Sequence, residues 1–162
     1  MIKEEIKIRK ATEADYKVVN SLYFELYTLN QQNIPLTYKK TPTKPQSKGE
    51  FLNMLEDNKS LLLVAVVNDR AVGLIYAFIE KETGNNVTYG YHRVYIGDLY
   101  VLPDYHRQGI GSLLMQEVEK WAKDRKLSDL AVLVYAFNQN AVSFYQKLGY
   151  KPYSIQLNKK LN

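Results

Sequence analysis

Between Asp98 and Ser112 an apolar run halts at Pro103, a short polar loop follows, and two glycines, Gly109 and Gly111, open a helical pattern. Glycine lets a backbone turn tightly and lets an oxygen-rich ligand approach with no Cβ in the way. The first amides of a helix have no internal acceptors and carry partial positive charge outward. With Arg107 and His106 adding charge, these parts make a cradle for a diphosphate. A dinucleotide fingerprint would want a third glycine where Leu114 stands, and the Gly-Lys-Ser/Thr of a P-loop is missing. Taken alone, the pattern suits equally a glycine-rich helix start that binds nothing.

About thirty residues later Asn138, Ala141, Phe144, Tyr145, Gly149 and Tyr150 fall at the spacing Asn-x-x-Ala-x-x-Phe-Tyr-x-x-x-Gly-Phe/Tyr. The two segments, in this order and at this separation, resemble the GNAT acyltransferases. That family's first motif, Arg/Gln-x-x-Gly-x-Gly/Ala, is matched at Gly109 and Gly111, with His106 in place of the commoner arginine or glutamine. The resemblance covers nearly the whole chain. It implies an α/β fold: a mixed, mostly antiparallel central sheet with splayed central strands and helices on both faces. It also implies acetyl-CoA as cofactor. The segment His106, Arg107, Gln108, Gly109, Ile110, Gly111 and Ser112 would hold the pyrophosphate, mainly by backbone amides. The departure at His106 should therefore weaken a charge contact and leave binding in place. Leu99, Tyr100 and Val101 would bind the pantetheine arm through main-chain groups, with Asn138 helping. Tyr145 would protonate the departing thiolate, a modest contribution for a phenol near pKa 10 facing a thiol near 8.5. Two of these residues have plainer roles open to them. Asn138 or Asn140 can cap the helix beginning near Ala141, and Tyr145 lies on that helix's apolar stripe.

The implied acceptor is a neutral nucleophile, most often an amine, whose proton must be removed. Asp98 stands near the expected point of approach; strand alternation puts it on the face of Tyr100, opposite Gly97, Leu99 and Val101. Polyamine acetyltransferases of the superfamily carry adjacent acids there, and Ile96-Gly97-Asp98 lacks one of the pair. Asp98 either anchors or deprotonates an amine, or accepts backbone bonds at the splay. Glu80, Glu82 and His92 are weaker candidates, expected to be solvated. Between Asn33 and Gly49 lie Lys39, Lys40, Lys44 and Lys48 with no acid. In this family that region commonly borders the acceptor pocket, where four lysines would repel a polycation; read without the resemblance they are a solvated loop. The expected function is an N-acetyltransferase moving acetyl from acetyl-CoA to a primary amine of a small molecule or peptide by direct attack. The alternative is a non-catalytic acyl-CoA-binding sensor on the same fold.

These residues need a scaffold, and 162 residues with 46% hydrophobic and 24% charged suit one soluble domain over 1–162. No cysteine and two histidines leave no thiolate site and little for zinc, so no metal is expected. The longest apolar run, Leu61–Val67, is seven residues against the ~20 of a membrane span, and acids follow Met1 where a signal peptide would be apolar. A cytoplasmic protein without a membrane partner is expected, as monomer or homodimer. The net charge of +5 gathers at Lys39–Lys48 and Lys147–Lys160 without helical periodicity, and no groove-reading motif accompanies it, so no nucleic-acid partner is expected. Fourteen tyrosines fall mostly in apolar patterns and read as core and rim packing.

Periodicity supplies the elements. Ile6 and Ile8 alternate in a strand; Thr12 with Asp15 starts a helix carrying Val18, Leu22, Leu26 and Leu29 on one face. A loop with Pro35, Pro42 and Pro45 spans Asn33 to Gly49, then a short helix follows at Phe51, Leu52 and Leu55. Strands are expected at Leu61–Val67, Ala71–Ile79, Tyr91–Leu102 and Leu130–Tyr135. Helices are expected through Ile110, Leu114, Val118 and Trp121 and through Ala141, Phe144, Tyr145 and Leu148, with a last strand at Tyr153, Ile155 and Leu157.

Overall fold

The computed structural model describes residues 5–161. Five strands form one sheet: β1 (Ile6–Lys10), β2 (Ser60–Val67), β3 (Arg70–Glu82), β4 (Tyr91–Val101) and β5 (Leu130–Val132). They lie in sequence order; the first four are antiparallel neighbours and β5 runs parallel to β4. Helices α1 (Tyr16–Asn33) and α2 (Lys48–Glu56) cover one face, while α3 (Ile110–Asp124) and α4 (Gln139–Lys147) cover the other. This is the mixed, mostly antiparallel α/β sheet that the sequence implied.

The unbroken apolar run of β2 follows from that layering. Leu62 and Val64 pack with Val19, Leu22, Tyr23 and Phe51 on the α1 side, and Leu61, Leu63 and Ala65 pack with Ile110, Leu114, Met115 and Val118 on the α3 side. A strand covered on both faces requires apolar residues at every position.

The start of α1 is fastened to β1 by charge. Arg9 donates to both carboxylate oxygens of Asp15, at 2.7 and 2.8 Å, and the Thr12 amide donates to Asp15 Oδ2 at 2.7 Å. Asp15 is only 6% exposed, and the Arg9 guanidinium holds its carboxyl down at about 2 despite burial. The weaker fit of Asp at this capping position is thus offset by a bidentate partner.

Three boundaries differ from the sequence expectation. Lys48 is not part of the proline loop: it opens α2 behind the Ser47 cap, pairs with Glu13 at 3.6 Å and lies 5.1 Å from the Tyr16 ring centroid. β5 stops at Val132, which pairs with Ile96 of β4, and Leu133–Tyr135 are left without a ladder. The last strand does not form. Residues 151–161 have no regular structure, and Tyr153, Ile155 and Leu157 are 96%, 86% and 88% exposed. Alternation marks two faces, but a strand also needs an edge to pair with, and none of the described strands pairs there.

Candidate active site

After β4 the chain makes a single 3-10 turn, Pro103–Tyr105, and then bends through Arg107 and Gly109, both left-handed at φ +60° and +84°. Gly109 takes the position before α3, and no side chain caps the helix there. A Cβ on Gly109 would meet nothing, so its dihedral is what calls for glycine. At Gly111 the reason is different: a Cβ would sit 3.2 Å from Phe144 Cζ, so the missing side chain lets α3 and α4 approach. Among the described residues, the first amide of this segment with a protein acceptor is Leu113, donating to Gly109 O at 3.0 Å. Among the described residues the amides from Arg107 to Ser112 have no protein acceptor, as at helix starts generally. Two predicted contact residues are already engaged: His106 Nε2 lies 2.7 Å from Val101 O, and Gln108 Nε2 donates to Asp104 O at 3.1 Å. The first ties the loop to the end of β4 and the second to the turn that follows it.

The second feature is the splay. β5 pairs with β4 only at Val94, Tyr95 and Ile96, so the edge from Gly97 to Val101 is free on that side while β3 holds the other. Further along the chain, Asn138 caps α4, its Oδ1 accepting from the Ala141 amide at 3.0 Å. The capping role is therefore filled by Asn138, and Asn140 lies within the helix.

The third feature is a bulge. Tyr76 pairs with Asp98 but Ala77 pairs with Ile96, so Gly97 is an extra residue in β4. Simple alternation had put Gly97 opposite Asp98. Instead, a Cβ on Gly97 would point at Tyr76 and Phe78, whereas Leu99 and Val101 pack on the α3 side and Tyr100 on the α1 side. Asp98 is partly buried, and that burial pushes its carboxyl up to about 6, against a smaller downward pull from the Tyr23 hydroxyl. Its charge in turn helps raise Tyr23, Tyr27, Tyr38 and Tyr145, although burial is the larger cause for each. Tyr145 is 7% exposed and packs edge-on against Phe144 and Tyr150 at 5.1 and 5.3 Å. Asp98 and Tyr145, distant in sequence, thus lie within electrostatic reach of each other. Glu80 instead binds Arg93 at 2.8 Å, away from this cluster.

The family model of the acetyltransferase (GNAT) family matches residues 23–150. The chain belongs to that family. Thialysine N-epsilon-acetyltransferase of Sus scrofa is 36% identical over 77 residues, 48% of this chain and 41% of that protein. An aminoglycoside N(6')-acetyltransferase type 1 of Acinetobacter genomosp. 13 is 32% identical over 102 residues, 62% of this chain and 69% of that one. The chain spans less than half the length of the thialysine relatives it matches. A mutant Bacillus halodurans protein of solved structure superposes with a TM-score of 0.90 at 22% identity, over 96% of this chain and 99% of that one, so the two share a fold.

Within the GNAT frame the structure adds residues that the sequence reading had assigned to packing. Tyr23, Tyr27, Tyr38, Tyr135 and Phe137 form a chain of ring contacts at 5.3, 6.2, 6.1 and 6.1 Å. It crosses from α1 through the proline loop to the segment after β5. A signal existed: Tyr23 and Tyr27 share a helix face at i and i+4. A concavity of about 510 Å³ lined by Glu119, Lys123, Lys126 and Leu127 lies at the far end of α3 and holds none of these groups.

Proposed function

We propose that this chain is an acetyl-CoA-dependent N-acetyltransferase that moves an acetyl group to a primary amine of a small molecule or peptide by direct attack. The observation that carries the reading is the row of amides over 107–112 without protein acceptors, followed by a β4 edge free on its β5 side beside Asp98 and Tyr145. Backbone donors aimed outward at a helix start fit a diphosphate, and a free strand edge fits the amides of a pantetheine chain. On this reading the amides of Arg107, Gln108, Gly109, Ile110, Gly111 and Ser112, with the Arg107 side chain, hold the diphosphate. Leu99 and Tyr100 offer main-chain groups to the arm, and Asn138 helps to hold it. Val101 and His106, bonded to each other, brace the turn between the two.

When bound, acetyl-CoA supplies a thioester carbonyl open to a neutral amine. Asp98, titrating near 6, is ionised at neutral pH and takes the proton that the amine sheds. Burial keeps the Tyr145 hydroxyl protonated, so it holds a hydrogen for the departing sulfur. Calorimetry with acetyl-CoA and thiol release across a panel of primary amines test the reading. Heat with the coenzyme and release with at least one amine are expected. Tight coenzyme binding with no amine turning over would leave a binding module, and no heat at all would refute the cradle.

A further inference from the structure

Tyr23 is fully buried, yet its hydroxyl has no hydrogen-bond partner at standard geometry. It sits beside Asp98, which is cross-strand from Tyr76. The rings of Tyr27, Tyr38 and Tyr135 continue from Tyr23, the Asp98 charge acts on Tyr27 and Tyr38 as well, and the Tyr38 and Tyr135 hydroxyls meet at 3.3 Å. That contact joins the proline loop to the segment that follows β5, 97 residues apart. The proline loop is set against α1 by Gln46: its amide donates to Asn20 Oδ1 at 2.9 Å, its side chain to the Tyr27 hydroxyl at 3.4 Å, and its carbonyl accepts from the Tyr16 hydroxyl at 3.1 Å. The aromatic wall is therefore held from both ends.

We propose that Tyr27, Tyr38 and Tyr135 with Asp98, backed by the buried Tyr23, form an acceptor site for a compact primary amine bearing one positive charge on an apolar or aromatic body, and that this site excludes polycations. The inference rests on the acetyltransferase reading and narrows it. A single ammonium finds one carboxylate to meet it and to take the proton it sheds before the neutral amine attacks, aromatic faces that attract cations, and apolar ring surface for the rest of the molecule. A polycation would strip water from several ammonium groups, and Asp98 is the one acid among the described residues that acts on Tyr23, Tyr27 and Tyr38 alike. Glu50, the other acid acting on Tyr27, is exposed and already accepts from the Ser47 amide at 2.8 Å. Lys39, Lys40 and Lys44 add repulsion: all three are exposed on the loop that carries Tyr38, and none forms an ion pair among the described residues.

The test uses the full chain and four probes: 2-phenylethylamine, n-hexylamine, spermidine and kanamycin. Binding is followed by calorimetry with coenzyme A present, and turnover by thiol release with acetyl-CoA. The two monoamines are expected to exceed the two polycations at least 10-fold in kcat/KM and to bind with measurable heat. Tyr38→Leu and Tyr135→Leu should each raise the 2-phenylethylamine KM about 10-fold with acetyl-CoA affinity unchanged. Should those variants fold poorly, the triple change Lys39→Glu, Lys40→Glu and Lys44→Glu leaves the rings intact and should raise spermidine at least 3-fold relative to 2-phenylethylamine. Turnover that favours spermidine or kanamycin overturns the acceptor assignment while leaving the acetyltransferase reading standing. Amine binding without any thiol release does the reverse. No amine binding in the presence of bound coenzyme overturns the acceptor site.

Discussion

Asp98→Asn separates a working carboxylate from a structural one, because the two roles predict opposite signs of stability. The Asp98 carboxyl moves from 3.8 to about 6 on folding, with burial as the main cause. At 1.36 kcal/mol per tenfold change in acidity, keeping it ionised in the fold costs about 3 kcal/mol. Because its folded pKa is raised, the native state binds the proton more tightly between pH 3.8 and 6. Stability therefore falls as pH rises through that window and stays lower above it. Asparagine removes the charge and keeps the shape. Thermal denaturation at pH 7.5 should show the variant more stable by up to about 3 kcal/mol, or roughly 6–12 °C in Tm for a chain of this size. At pH 4 the difference should largely vanish. Loss of a general base costs about 100- to 10,000-fold, so kcat should drop within that range, and the wild-type inflection of kcat near pH 6 should disappear. The expected pairing is lost activity with gained stability. A variant that loses stability at pH 7.5, or keeps its activity, would refute the reasoning: Asp98 would then be accepting structural hydrogen bonds.

Tyr145→Phe keeps the ring contacts with Phe144 and Tyr150 and removes only the hydroxyl. Steady-state kinetics should show kcat lowered about 10-fold with acetyl-CoA affinity within 2-fold of wild type; an unchanged kcat removes Tyr145 from the chemistry. Gly109→Ala forces an alanine into φ +84° and should cost about 1–2 kcal/mol in urea denaturation while weakening coenzyme A binding. Gly111→Ala has ordinary helical backbone and presses on Phe144 instead, so its larger effect should be on kcat through the neighbouring Tyr145. Asp15→Asn breaks the bidentate Arg9 pair. Because the Asp15 carboxyl is lowered to about 2, its contribution is present above pH 3.8 and fades as pH falls toward 2. With Arg9 half exposed and screened, a loss of about 1–2 kcal/mol is expected at pH 7, shrinking below pH 3.

Much of the site was legible because its parts are local. A turn needing left-handed backbone writes glycine at 109, and a helix cap writes asparagine at 138. Those choices follow from a few dihedrals and one short hydrogen bond. The bulge was legible too, though alternation alone missed it. Buried positions of β4 are even-numbered at Val94 and Ile96 and odd-numbered at Leu99 and Val101, in the packing with α3, and that change of phase marks the extra residue. The proline loop was placed correctly as irregular but not in what it carries. Nothing near Tyr38 in sequence says that its hydroxyl meets Tyr135.

The chain's own order of residues determined the layers, the free amides before α3 and the membership of the family. Each of these depends on spacing within a dozen residues or on motifs read in sequence. Only the tertiary structure decided which tyrosines surround Asp98, that Lys48 leaves the lysine-rich loop to pack with α2, and that Tyr153, Ile155 and Leu157 find no strand to join. Ring stacking, burial of a carboxylate and pairing of an edge are contacts between segments far apart in the chain, and periodicity carries no information about which distant segment arrives.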